Sequence, residues 1–257
     1  MRNSILIFGA FIGFFAVINH VNAGMSLSQA IVHFEDGGER SRDIEVFNQG
    51  EDTLYIRVIP SVIHHPGTEQ EKREQYRDPR KAGLLVSPQR LVIAPGGRKR
   101  IRFVRLDKPV TANSDITPTG KNQKLPTIIV KDRVFRVLVK PEVGEVKSTE
   151  TAVKIVVAYE VLVLSQPDRA KVDLKGKLVG KSLHITNLGN TNVLLLEGHQ
   201  CPKGQSRQDE ENQCVKLGGK RIYAGNQWQV EVPYLTPVTY QISKGLENSI
   251  KTFKLVP

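Results

Sequence analysis

Residues 151–164 read T-A-V-K-I-V-V-A-Y-E-V-L-V-L. Val153, Ile155, Val157, Tyr159, Val161 and Val163 recur at every second position. The alternate face carries Ala152, Lys154, Val156, Ala158, Glu160 and Leu162. Period two with this Val and Ile content predicts a β-strand, one face apolar and the other mixed with charge. It exceeds the roughly five or six residues of an ordinary globular strand. An exposed edge of that length attracts other strands. Either the chain covers it with its own neighbours, or it exists to pair with another chain.

Outward from that run the pattern stays β. Alternating stretches occur at 31–34, 41–47, 54–63, 83–86, 90–93, 98–106, 128–130 and 133–139, and again at 171–175, 183–186, 192–197, 220–223, 227–232, 238–242 and 250–255. Asp36-Gly37-Gly38, Asn48-Gln49-Gly50, Pro66-Gly67 and Pro95-Gly96-Gly97 punctuate the first set. Strands at this spacing predict β-sandwiches. Residues 69–76 are a polar candidate for a helix, a loop or a surface turn, and 111–124 read as a flexible loop. Ser165-Gln166-Pro167-Asp168 is a linker signal. The expected organisation is all-β, two immunoglobulin-like sandwiches in tandem, at 24–166 and 167–257, each long enough for one core.

Residues 1–23 read as a secretory signal peptide. Arg2 is followed by an apolar run over 5–18 and by Val21-Asn22-Ala23 at the cleavage site. The run is short of the ~20 residues of a membrane span. The full chain carries 37 Lys and Arg against 26 Asp and Glu, a net +11. An exported basic protein suits acidic partners, a membrane surface or a carboxylate-rich ligand, and nucleic acid is not an expected partner. Export permits a disulfide between Cys201 and Cys214, which would staple a polar loop.

The order of motifs is similar to that of the periplasmic pilus-assembly chaperones, the PapD-like family of two immunoglobulin-like domains. Residues 86–97, V-S-P-Q-R-L-V-I-A-P-G-G, resemble the family's turn between strands. Ile101-Arg102 fills its apolar–Arg slot, and 134–141 resemble the strand preceding the long alternating one. Leu183-His184-Ile185-Thr186-Asn187 with Val193 resembles the second-domain segment, with Leu188 and Asn190 where the family has prolines. The resemblance implies a chaperone that lends a β-strand to fimbrial or pilus subunits and delivers them to an outer-membrane usher. Matching the family's closing proline to Pro167 places the donor positions on Val153, Ile155 and Val157, with Thr151 upstream. The family's usual carboxylate-anchoring Arg and Lys fall on Ile31 and Leu162. Their absence suggests an alternate or archaic branch, with Arg136 and Lys140 as anchor candidates on one face of a strand and Arg57 as a third. The long edge also invites self-association of the free form.

No phosphate loop, nucleophile elbow or metal-binding helix motif is present, so the expectation is a non-enzyme with no cofactor and no metal. The adjacent His64 and His65 would face opposite sides of a strand and chelate poorly. Arg98, Arg100 and Arg102 share a solvated face, without the aromatic platforms that single-stranded nucleic acid needs. Trp228 is expected in the second core. The alternative function is an exported two-domain fimbrial subunit or adhesin. Such a protein would need an alternating apolar segment ahead of its fold, and 25–30 are too short for one.

Overall fold

The computed structural model describes residues 24–106, 130–142, 156–208, 213–243 and 251–255. The first half contains β1 (Met25–Leu27), β2 (Ile31–Phe34), β3 (Ser41–Asn48), β4 (Leu54–His64), β5 (Lys72–Gln75), the short helix α1 (Pro79–Ala82), β6 (Leu84–Ser87), β7 (Arg90–Ile93), β8 (Arg98–Arg105), β9 (Arg133–Pro141) and β10 (Tyr159–Ser165). The second contains β11 (Leu174–Val179), β12 (Ser182–Asn187), β13 (Val193–Gln200), β14 (Val215–Leu217), β15 (Lys220–Ile222), β16 (Gln227–Glu231), β17 (Val238–Ser243) and β18 (Lys251–Leu255).

These strands build two immunoglobulin-like sandwiches in tandem. The first packs the sheet β1-β3-β8-β6 on the sheet β2-β10-β9-β4-β5, with β7 also on β4. The second packs β11-β12-β16 on β14-β13-β17-β18, with β15 on β13. Alternation decides which side chains enter each core. Phe34, Ile44, Ile101, Phe103, Phe135, Val137, Val161 and Val163 fill the first, and Ile185, Val193, Leu195 and Tyr240 the second. Trp228 packs edge-on to Tyr240, with centroids 6.2 Å apart.

One local device appears in both sandwiches. Buried Asn48 donates Nδ2 to the carbonyls of Asp52 (2.8 Å) and Ile93 (3.0 Å), and its Oδ1 accepts from Gly50 N (3.0 Å). Buried Asn187 donates to Thr191 O (2.8 Å) and Ile222 O (3.1 Å), and accepts from Gly189 N (3.0 Å). Each Asn-x-Gly thus ties a strand end to a later strand and satisfies backbone groups that no ladder reaches.

Two expectations fail. Residues 69–76 form no helix: Lys72–Gln75 is a strand antiparallel to Ser61–His64. The turn at Pro66-Gly67 folds the chain back on β4, and the strand reads as polar because it is an exposed sheet edge. The helix lies later, where Asp78 Oδ1 caps Arg80 N (2.9 Å) ahead of the Pro79–Ala82 turn. The first strand also begins earlier than the alternating stretch at 31–34, since Met25–Leu27 pairs with Asn48–Val46.

Candidate functional site

The decisive run divides within itself. Thr151, Val153 and Ile155 lie outside the described residues. Val156 and Val157 are exposed, at 42% and 41%, and β10 begins only at Tyr159. From there β9 pairs antiparallel along Tyr159–Ser165, while β2 pairs parallel only along Leu162–Ser165. Only the downstream end of the run, Leu162–Leu164, is therefore sealed on both edges inside its own sheet. The four positions assigned to the donor strand all lie upstream of the sealed part.

The reason is a strand that changes sheets. Residues Met25–Leu27 pair with β3 in one sheet, and Ser28 N still bonds Glu45 O at 2.9 Å. The chain then crosses, Ala30 O accepts from Leu162 N at 2.9 Å, and β2 continues along β10. Upstream of Leu162, no described strand covers that edge of β10. Tyr159 marks the crossing, its hydroxyl donating to Met25 O at 2.9 Å. Tyr159, Val161 and Val163 face the first core, and alternation gives Val157 the same face, just ahead of the start of β10.

The other face of β10 is apolar for a separate reason. Leu162 and Leu164 pack with Ile63, Val134 and, from the second sandwich, Tyr223. Polar contacts frame this contact between the sandwiches. Asp132 Oδ2 accepts from Asn192 N (2.8 Å) and Nδ2 (2.6 Å), Arg221 donates to Asn192 Oδ1, and Asn226 Nδ2 donates to Pro66 O (2.7 Å). Burial holds the Asp132 carboxyl above the ordinary range, partly offset by the Asn192 hydrogen bonds. Burial, with the Arg221 guanidinium adding to it, pushes His33 down to about 4.

The anchor candidates sit on this outer face. Ile31, Leu162 and Arg136 are consecutive partners across β2, β10 and β9. Arg136 therefore stands one strand away from the position where the resemblance places a lysine. It is half-buried, with Nε 3.8 Å from Glu160 Oε2, and the other oxygen of Glu160 lies 2.6 Å from Arg73 Nη1. Two guanidinium groups thus already hold one carboxylate there. Arg73 carried no signal in the sequence, because its place follows from the unexpected β5. Lys140 is exposed, about 13 Å along the strand from Arg136, and lies opposite Arg57, which pairs with Glu142. Cys201 and Cys214 are disulfide-bonded across the loop from β13 to β14.

No protein-family model matches the chain. Two curated relatives, both from Escherichia coli, are similar in sequence. One, a CS1 fimbrial subunit, is 27% identical over 201 residues, 76% of each chain. The other, a CFA/I fimbrial subunit, is 24% identical over 188 residues, 70% of this chain and 69% of the relative. Among solved structures, the class 5 fimbriae chaperone CfaA aligns over 91% of this chain and 99% of its own, with TM-score 0.62 and 22% identity. A chaperone–tip adhesin complex of CFA/I fimbriae gives TM-score 0.58 at 20% identity, covering 91% of this chain and 100% of the other. The archaic CsuC–CsuE chaperone–tip subunit complex of Acinetobacter baumannii gives 0.54 at 10% identity, covering 90% and 97%. The chain has the fold of these fimbrial chaperones, as the resemblance implied.

Proposed function

We propose that the chain is a non-enzymatic periplasmic chaperone that holds fimbrial subunits by lending them a β-strand and passes them to an outer-membrane usher. The observation that carries this reading is the edge of β10 upstream of Leu162, which no described strand covers where the first strand crosses between sheets. Residues 151–157 lead into that edge. An extended backbone there adds a strand to an incomplete sheet, and the side chains of Val153, Ile155 and Val157 fill its groove, with Thr151 at the upstream end. Each aliphatic side chain fully buried contributes roughly 1.5–3 kcal/mol before ordering costs. Arg136 and Lys140 are the residues on which the subunit's terminal carboxylate would settle. Mature domains at 24–166 and 167–257, a cleaved leader at 1–23 and pairing of free chains through the same edge belong to this reading.

Co-expression with a fimbrial subunit tests it. The expected result is one-to-one recovery from the periplasm, lost in Ile155→Asp while that variant stays folded. Unchanged recovery with Ile155→Asp would contradict it. The names of the curated relatives favour a second reading, a structural component of the fibre. Such a component would be incorporated in the assembled fibre, whereas a chaperone would be absent from it.

A further inference from the structure

A row of like charges crosses the outer face of the first sandwich. Arg57 on β4 lies directly opposite Arg90 on β7 and Lys140 on β9. Cβ atoms of directly opposed residues are about 5 Å apart, and like charges so placed destabilise a sheet. Among the described residues one acid answers the row, Glu142, which is paired with Arg57. Among the described residues, neither Arg90 nor Lys140 has an ion-pair partner, and neither does nearby Arg77. The contrast with the other sheet is direct. There Arg102 and Asp43 are opposed and joined by two 2.9 Å hydrogen bonds.

The row borders a cleft of about 440 Å³ lined by Arg57, Arg77, Arg90, Gln75 and Gln89. The cleft exists because two short strands share one edge of β4. β7 covers Leu54–Arg57 and β5 covers Ser61–His64. Between them Val58 N bonds Gln89 O at 2.9 Å, and Pro60 has no N–H to offer. One step along the strands, Tyr55 and Val92 are opposed and exposed at 54% and 48%. The surface therefore presents four cations (Arg57, Arg77, Arg90 and Lys140), amide donors and an apolar pair, next to backbone that no described strand fully covers.

We propose that this surface docks an acidic segment of a partner protein, with two or three Asp or Glu side chains set against Arg57, Arg77 and Arg90 and an adjacent apolar side chain on Tyr55 and Val92. Charge complementarity selects an acidic partner. The exposed apolar pair and the carboxamides of Gln75 and Gln89 select a peptide over a simple anion or a lipid surface. None of the residues 151–157 takes part, and Arg77 and Arg90 are not among the anchor candidates, so the test stands even if subunit binding fails.

The test is fluorescence anisotropy with a labelled peptide, Gly-Asp-Glu-Tyr-Glu-Asp-Gly, titrated with the whole protein. Competitors are its Asn/Gln counterpart, inorganic pyrophosphate and phosphatidylglycerol vesicles. We expect saturable binding that weakens with salt and falls at least tenfold in Arg77→Ser/Arg90→Ser. Lys175→Ser/Lys177→Ser removes the same charge from the second sandwich and should leave binding unchanged. Equal loss in both double variants would reduce the effect to net charge and overturn the proposal. So would absence of binding at millimolar peptide, or Arg77/Arg90-dependent competition by pyrophosphate or vesicles that exceeds that of the unlabelled acidic peptide. Matching thermal midpoints for the two double variants tie any loss to the site.

Discussion

Replacing Asn187 by Ala should loosen the second sandwich selectively. The change removes two donated bonds and one accepted bond, at 2.8, 3.1 and 3.0 Å, from a side chain with no solvent exposure. Thr191 O, Ile222 O and Gly189 N are left without those partners. At about 1 kcal/mol net for each bond, and more where a survivor stays dry, the loss is about 3–4 kcal/mol. That is a large share of the roughly 5–15 kcal/mol that holds a domain together. With a urea dependence of about 1–3 kcal/mol per molar, the midpoint falls by roughly 1–4 M. Trp228 is the only tryptophan and packs in the second core, so its fluorescence reports that sandwich. Asn48→Ala should leave the Trp228 transition nearly in place while lowering a separate far-ultraviolet transition. A Trp228 shift under about 0.3 M in Asn187→Ala would refute the reasoning about the staple. Equal shifts from both variants would refute the separate unfolding of the two sandwiches.

Three further outcomes are expected. His33 is depressed to about 4, mainly by burial and then by Arg221, so its contribution is complete above the unfolded value near 6.5. As pH falls through the window from 6.5 to 4, the unfolded chain takes up a proton that the native site refuses. The unfolding free energy from urea titrations should decline across that window, by on the order of 1–2 kcal/mol at this partly screened site, and decline less in His33→Gln. Cys201→Ser/Cys214→Ser reopens a loop of sequence separation 13, and should lower the Trp228 transition by about 3 kcal/mol on the chain-entropy argument. Glu160→Gln removes the internal counterion of Arg136 and Arg73 and should tighten subunit binding about two- to fivefold by titration calorimetry, the range expected of an exposed ion pair; weaker binding would remove Arg136 from the anchoring role.

Short-range alternation carried most of the fold. The runs at 31–34 and 90–93 match β2 and β7 residue for residue, because one face of each is buried and the other is not. Glycine- and proline-rich turns separated them correctly. The polar edge strand β5 escaped because all four of its residues are exposed, so no core demands apolar side chains there. The long run read as one strand, yet its apolar character has two origins. Val161 and Val163 serve the first core, and Leu162 and Leu164 serve the contact with Tyr223. Composition alone does not separate those roles. The paired asparagines were visible as Asn48-x-Gly50 and Asn187-x-Gly189, each some 35–45 residues ahead of an Ile whose carbonyl it binds. Only the structure shows the two in the same role. The Arg90–Arg57–Lys140 row depends on register between strands distant in sequence, which no local pattern encodes.

Hydrogen–deuterium exchange across residues 151–161, in the free chain and with a co-purified fimbrial subunit, tests strand lending most directly. Strand lending predicts that amides 151–158 exchange within seconds when free and become strongly protected in the complex, while Tyr159–Ser165, already laddered to β9, are protected in both states. A stable complex in which 151–158 exchange as fast as in the free chain would contradict it.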